Sequence, residues 1–217
     1  MLGHPRSGTS MVAGCLAACG AWTGETFAGD ADNPKGYFEN VRLREAVDKT
    51  VLRALGCDPL GVDPLPPIEI VPQQPALRQV VETVLDREGY DRQRPWLFKD
   101  AKMTLLWPLW LSMFPDALWV IVERPEDEVV RSCLGTSFMA RHSGDAGFWR
   151  RVVAAYSERL KSLETASPQC HRVNAGEIAS GAAERLEAIA VAAGLDWNGA
   201  AVGAFVSRDL WTRRNEA

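Results

Sequence analysis

The chain has 217 residues, 47% hydrophobic and 24% charged, with 24 Lys and Arg against 28 Asp and Glu for a net charge of −4. These values exclude disorder, collagen and coiled coil, favour one domain spanning 1–217, and disfavour a bulk nucleic-acid binder, while leaving room for a local basic pocket. Five cysteines without a CxxC pair, and only three His, read as buried thiols in a reducing compartment rather than as a zinc or disulfide framework. The most apolar stretch, residues 105–122, is broken by Pro108, Pro115 and Asp116. No membrane span or leader is therefore expected, and the expected compartment is the cytoplasm.

In chain order, residues 1–3 are an apolar scrap before a Gly/Pro/Ser loop, too short for an ordinary first strand of about five residues. Either that strand is abbreviated or the native start lies upstream. Residues 9–19 read as a helix stopped by Gly20. Asn33-Pro34-Lys35-Gly36 is a turn signal. Residues 41–55 carry apolar side chains at helical spacing, 58–75 form a proline-rich loop or lid expected to be the most mobile segment, and 76–85 form an amphipathic helix. Residues 96–98 predict a short buried strand and 105–114 a helix. Residues 117–122 (ALWVIV) are a continuous apolar run, as in a strand covered on both faces. Helices are expected over 126–137, 146–163, 182–193 and 200–210, with a last strand at 170–173. The alternation implies an α/β fold, a central parallel sheet flanked by helices in three P-loop-like layers.

Gly3-His4-Pro5-Arg6-Ser7-Gly8-Thr9-Ser10 leaves the first strand and opens a helix. It has the spacing of a phosphate-binding loop, with backbone amides and a positive dipole end facing a ligand. Thr9 stands where an ATPase loop would carry its lysine, and the cation is Arg6 instead. Downstream, the 117–122 strand runs into Arg124-Pro125, and Ser132 follows Arg124 by eight residues. An Arg at the carboxyl edge of a parallel sheet is well placed to hold a phosphate, and Pro125 is expected as an early helical residue.

With these two motifs the chain resembles the sulfotransferases that use 3′-phosphoadenosine 5′-phosphosulfate (PAPS), most nearly bacterial members with the Arg form of the loop. Residues 33–39 and 96–102 have that branch's look, although Ala101 and Lys102 depart from its usual Lys-Asp-Pro-Arg, and so does 173–195, with Glu177 and Gly194-Leu195. The resemblance implies that Pro5, Arg6, Ser7, Gly8, Thr9 and Ser10 bind the 5′-phosphosulfate and that Arg124 and Ser132 bind the 3′-phosphate. It also implies that 3′,5′-adenosine bisphosphate is the product, and that no metal takes part.

Sulfuryl transfer needs cations on the sulfonate and the leaving oxygen, and a base for the acceptor. Arg6 and Lys99 are the expected cations. The base is expected at Glu39, with Glu25 second and Asp100 third, its pKa raised by surrounding aromatics. An alternative role for Glu39 is a charge near the start of the 41–55 helix. His142 could line the acceptor pocket, Trp22 or Phe27 could border either substrate, and Arg213-Arg214 could cover the donor phosphate. The acceptor stays open among small molecules, carbohydrates, lipids and peptides. Rival readings are a small-molecule kinase using Asp100 for magnesium, and a non-catalytic nucleotide binder.

Overall fold

The structure is a computed structural model describing residues 1–207 and residue 211. A parallel three-stranded sheet runs in the order β1 (Leu2–Gly3), β2 (Trp119–Glu123), β3 (Cys170–Asn174). Leu2 sits beside Ile121, and β2 pairs with β3 from Trp119 and Cys170 to Glu123 and Asn174. Side chains alternate across β2. Trp119 and Ile121 enter one core cluster, and Val120 and Val122 enter another on the opposite face. That is why its sequence is apolar at every position instead of every second one.

Two layers of helices cover these faces. The Ile121 side packs against α4 (Arg78–Arg87), α5 (Trp107–Met113), α6 (Glu126–Leu134) and α8 (Ala146–Ala166), through Val81, Leu109, Val129 and Trp149 among others. The Val122 side packs against α1 (Thr9–Ala18), α9 (Ala175–Ser180), α10 (Glu184–Ala192) and α11 (Gly199–Phe205), through Val12, Ile178, Leu186 and Val202. The α/β architecture expected from the alternating pattern is the one observed.

Several boundaries differ from expectation. The predicted strand 96–98 forms single bridges rather than a ladder. The Met1 amine donates to the Phe98 carbonyl at 2.8 Å and Leu97 N–H to the Trp22 carbonyl at 2.7 Å. The segment thus extends the sheet edge beyond the two-residue β1. The predicted helix 41–55 begins as α2 (Val41–Leu43), widens into a π-helical stretch at Arg44–Lys49, and ends as α3 (Thr50–Ala54). The predicted helix 126–137 stops before Gly135 and resumes as α7 (Ser137–Ala140), and Pro125 caps α6 from outside with an extended ψ of 137°. Asn174 caps the unforeseen α9, accepting from Gly176 N–H at 2.8 Å. The predicted helix 200–210 is helical to Phe205, and 208–210 lie outside the described residues. Residues 58–75 are tied to α8: Tyr156 donates to the Gly61 carbonyl at 2.7 Å and Arg159 to the Pro66 carbonyl at 2.6 Å.

Ile121 is fully buried at the centre of β2. Ile121→Ala is expected to cost about 2–5 kcal/mol in chemical denaturation. Val191→Ala, at a position 62% exposed, should change stability by less than about 0.5 kcal/mol.

Candidate anion-binding site

Gly3 ends β1 where a Cβ would stand 2.5 Å from the Val122 carbonyl oxygen, so glycine alone lets the chain leave the sheet there. The loop then turns on Ser7 N–H donating to the His4 carbonyl. Arg6 adopts a left-handed φ of 66° and Gly8 one of 94°. A side chain at Gly8 would be both strained and 2.6 Å from the Ala175 Cβ. This backbone delivers the chain to the start of α1, whose first amides lack intrahelical acceptors by position. Pro5, Arg6, Gly8, Thr9 and Ser10 line a cavity of about 410 Å³, within the usual size of small-ligand clefts. Ser7 is fully buried behind them, its hydroxyl unpartnered.

The second motif meets the first. Arg124, just past β2, donates from Nη1 to the Arg6 carbonyl at 3.2 Å and from Nε to Glu128 at 2.9 Å. Its guanidinium lies 4.2 Å from the Trp211 ring. Arg6 in turn donates from Nε to the Ser132 hydroxyl at 3.2 Å and from Nη2 to the Asp32 carbonyl at 3.4 Å. Residues 6, 124 and 132, far apart in sequence, form one constellation at the carboxyl edge of the sheet.

A third element comes from the 96–100 segment and the loop before α2. Lys99 Nζ lies 2.9 Å from Glu39 Oε1, and Arg44 Nη1 lies 3.1 Å from Glu39 Oε2. Arg44 opens the π-helical stretch, and its guanidinium also lies 3.8 Å from the centre of the Phe27 ring. Glu39 does not behave as expected. Burial alone would raise its pKa, but the charges of Lys99, Lys102 and Arg44 outweigh that effect and hold it at about 2. The expected elevation by neighbouring aromatics is therefore overturned. Asn40 caps the following helix, accepting from Leu43 N–H at 2.9 Å, and Glu39 stands one residue before it, near the helix start as its alternative role requires.

The other expected residues divide. Glu25 is exposed, paired with Arg42 at 3.2 Å, and does not line the cavity. Asp100 is fully buried, with Lys102 Nζ at 2.7 Å, and does not line it either. His142 and Phe27 do, whereas Trp22 packs on Tyr90 at 4.9 Å between ring centres. Arg213 and Arg214 lie outside the described residues. The sequence reading missed Arg44 and Asp48, and it treated Lys102 only as a departure from a pattern.

Among the described residues, the cavity gathers Arg6, Lys35, Arg44, Lys99, Lys102 and Arg124 around a lone carboxylate, Glu39. No group of three or more His, Cys, Asp or Glu that could hold a metal occurs among the described residues, and no helix there is long and apolar enough to cross a membrane. A sequence model of the sulfotransferase family matches residues 1–199. The chain belongs to the sulfotransferase family. Neither curated proteins nor solved structures gave a match. In this sulfotransferase the loop of residues 3–10 and the Arg124/Ser132 pair both fall inside the matched region.

Glu39 should titrate at about 2 by NMR of its side-chain carboxyl, well below its ordinary 4.5. Because the folded pKa is depressed, the stability it contributes is fully present above pH 4.5 and is lost as pH falls through about 2. Lys99→Met should move the titration upward; an unchanged value would deny Lys99 its part in it.

Proposed function

We propose that this sulfotransferase takes its sulfonate from PAPS and passes it to a hydroxyl or amine of a small-molecule, carbohydrate or peptide acceptor, without a metal. The carrying observation is that, among the described residues, six cations line a cavity at a helix N-terminus against a single carboxylate, in a chain whose overall charge is −4. Such a cavity selects a multiply anionic ligand. Gly8, at a left-handed φ of 94°, and the Thr9 and Ser10 residues that open α1 line the cavity, which fits a phosphate or sulfate held by the loop.

In this reading Pro5, Arg6, Ser7, Gly8, Thr9 and Ser10 hold the 5′-phosphosulfate, and Arg124 with Ser132 holds the 3′-phosphate. The donor, when bound, supplies a sulfonate on a leaving group already stabilised as an anion. Lys99 and Arg6 neutralise charge on the transferring and leaving oxygens. Glu39 accepts the acceptor's proton. With its low pKa it is ionised at every working pH but weakly basic. Lys99, now 2.9 Å away, would strengthen it as a base by turning from the carboxylate to the sulfonate. Leu60, Val62, Phe138 and Met139 supply apolar lining for the acceptor's body.

Calorimetry tests the donor. The bisphosphate should bind about 30- to 150-fold more tightly than 5′-AMP, the worth of a charged hydrogen-bond pair of about 2–3 kcal/mol. Arg124→Ala should close that gap; equal affinities in the unmodified protein, or preference for magnesium ATP, would overturn the assignment. Glu39→Gln should leave bisphosphate affinity within a few-fold and cut the transfer rate by about 10²–10⁴. More than about a tenth of the wild-type rate would remove Glu39 as the proton acceptor.

A further inference from the structure

Below the cavity lies a second carboxylate arrangement that the proposed chemistry does not use. Asp48, in the π-helical stretch, and Asp100, after Lys99, are both fully buried. Asp48 Oδ1 accepts from the Trp110 indole at 2.8 Å. Asp100 Oδ1 accepts from the Lys102 backbone amide at 2.9 Å and pairs with Lys102 Nζ at 2.7 Å. As ionised groups, Asp48 Oδ2 and Asp100 Oδ2 would each be buried without a donor. Yet the two carboxyls stand within hydrogen-bonding range of each other. Two adjoining buried carboxylates with empty oxygens are the arrangement that a single shared proton resolves, since it gives one oxygen a donor and the other an acceptor.

The groups facing Asp48 do not provide an alternative. From the 99–104 segment come Asp100, of like charge, and Lys102, already engaged by Asp100. From α5 comes Trp110, which satisfies only Oδ1. From the β1 edge comes the buried Met1 amine, which donates to the Phe98 carbonyl and which burial and the Lys99 charge bring down to about 5. Burial, then the charge of Asp100, pushes Asp48 well above the ordinary carboxylate range.

We propose that Asp48 is a positioning residue that works as a neutral acid, donating from Oδ2 to Asp100 Oδ2 and so fixing the carboxylate that holds Lys102. The consequence is electrostatic. Among the described residues, Lys99, Lys102 and Arg44 then face only Glu39 and Asp100 as buried counter-charges, because Glu45, which also reaches Arg44 at 3.5 Å, sits at the exposed rim beside Lys49 and Arg53. The cavity floor keeps one positive charge in excess for an incoming anionic group. An ionised Asp48 would cancel that charge. That the anion is a donor's sulfonate rests on the function proposed above; the protonation of Asp48 does not.

The test separates the two. Infrared spectra of the whole protein at neutral pH should show a protonated carboxylic C=O band that Asp48→Asn removes. Unfolding at pH 7 should release about one more proton from wild type than from Asp48→Asn, read by calorimetry in buffers of different ionisation enthalpy. Asparagine keeps the geometry of the neutral acid: its amide donates to Asp100 and its oxygen accepts from Trp110. Asp48→Asn should therefore retain bisphosphate affinity and kcat within a few-fold. Asp48→Leu should lower kcat at least tenfold while leaving bisphosphate affinity within a few-fold, because the nucleotide phosphates lie at Arg6 and Arg124. No band and no extra proton would overturn the neutral acid. If Asp48→Leu fails to fold, kcat in Asp48→Asn decides alone, and a tenfold loss there refutes the proposal. Wild-type kcat in both variants refutes the positioning role. A band present in a protein that does not bind the bisphosphate would sink the donor assignment and leave Asp48 standing.

Discussion

Lys99 and Glu39 meet 2.9 Å apart with 3% and 12% of their side chains exposed, and the rest of the cavity is arranged around that contact. Burying a pair of charges costs several kcal/mol per ion unless further partners repay it. Here Arg44 supplies the second oxygen's partner and Lys102 adds its field. The carboxylate is over-supplied with cations, so its low pKa follows, and so does a surplus of positive potential open to a ligand. Lys99 comes from the sheet edge and Glu39 from the loop before α2. The same contact therefore joins the two sides of the cavity.

The loop of residues 3–10 carries its cation at a different place from an ATPase loop. A lysine after the second loop glycine would reach the ligand from the first turn of the helix. Thr9 occupies that position, and the charge comes from Arg6, one turn earlier, on a left-handed backbone. That conformation costs about 1–3 kcal/mol for a residue with a Cβ. Contacts to Ser132 and Asp32, and the Arg124 donation to the Arg6 carbonyl, hold it in place. The loop, the strand end and α6 thus fix one another, and the constellation exists only when the parallel sheet has formed.

Much of this was legible in the residues. The unbroken apolar run of 117–122 specified a strand covered on both faces, and the Gly, Arg and Ser positions of the loop marked a turn into a helix start, which lies on the cavity wall. The π-helical widening at Arg44–Lys49 left no mark in the apolar spacing, which showed the apolar face of 41–55 and gave no sign of where Arg44 and Asp48 would point. The sign of the Glu39 shift was missed for a related reason. Its aromatic neighbours are adjacent in sequence, whereas Lys99 and Lys102 lie some 60 residues away and reach it only through the fold. The Asn174 cap three residues before Glu177 was a readable helix signal that was overlooked.

The surplus of side-chain cations is proposed to serve sulfonate transfer. The most direct measurement offers sulfur-labelled PAPS and gamma-labelled magnesium ATP together to the protein with a mixed pool of hydroxyl and amine acceptors, with and without EDTA. The predicted result is sulfur label on an acceptor, undiminished by EDTA and abolished by Lys99→Ala, with no phosphorus label transferred. Phosphorus transfer that EDTA stops, with the sulfur label left on its donor, would contradict it.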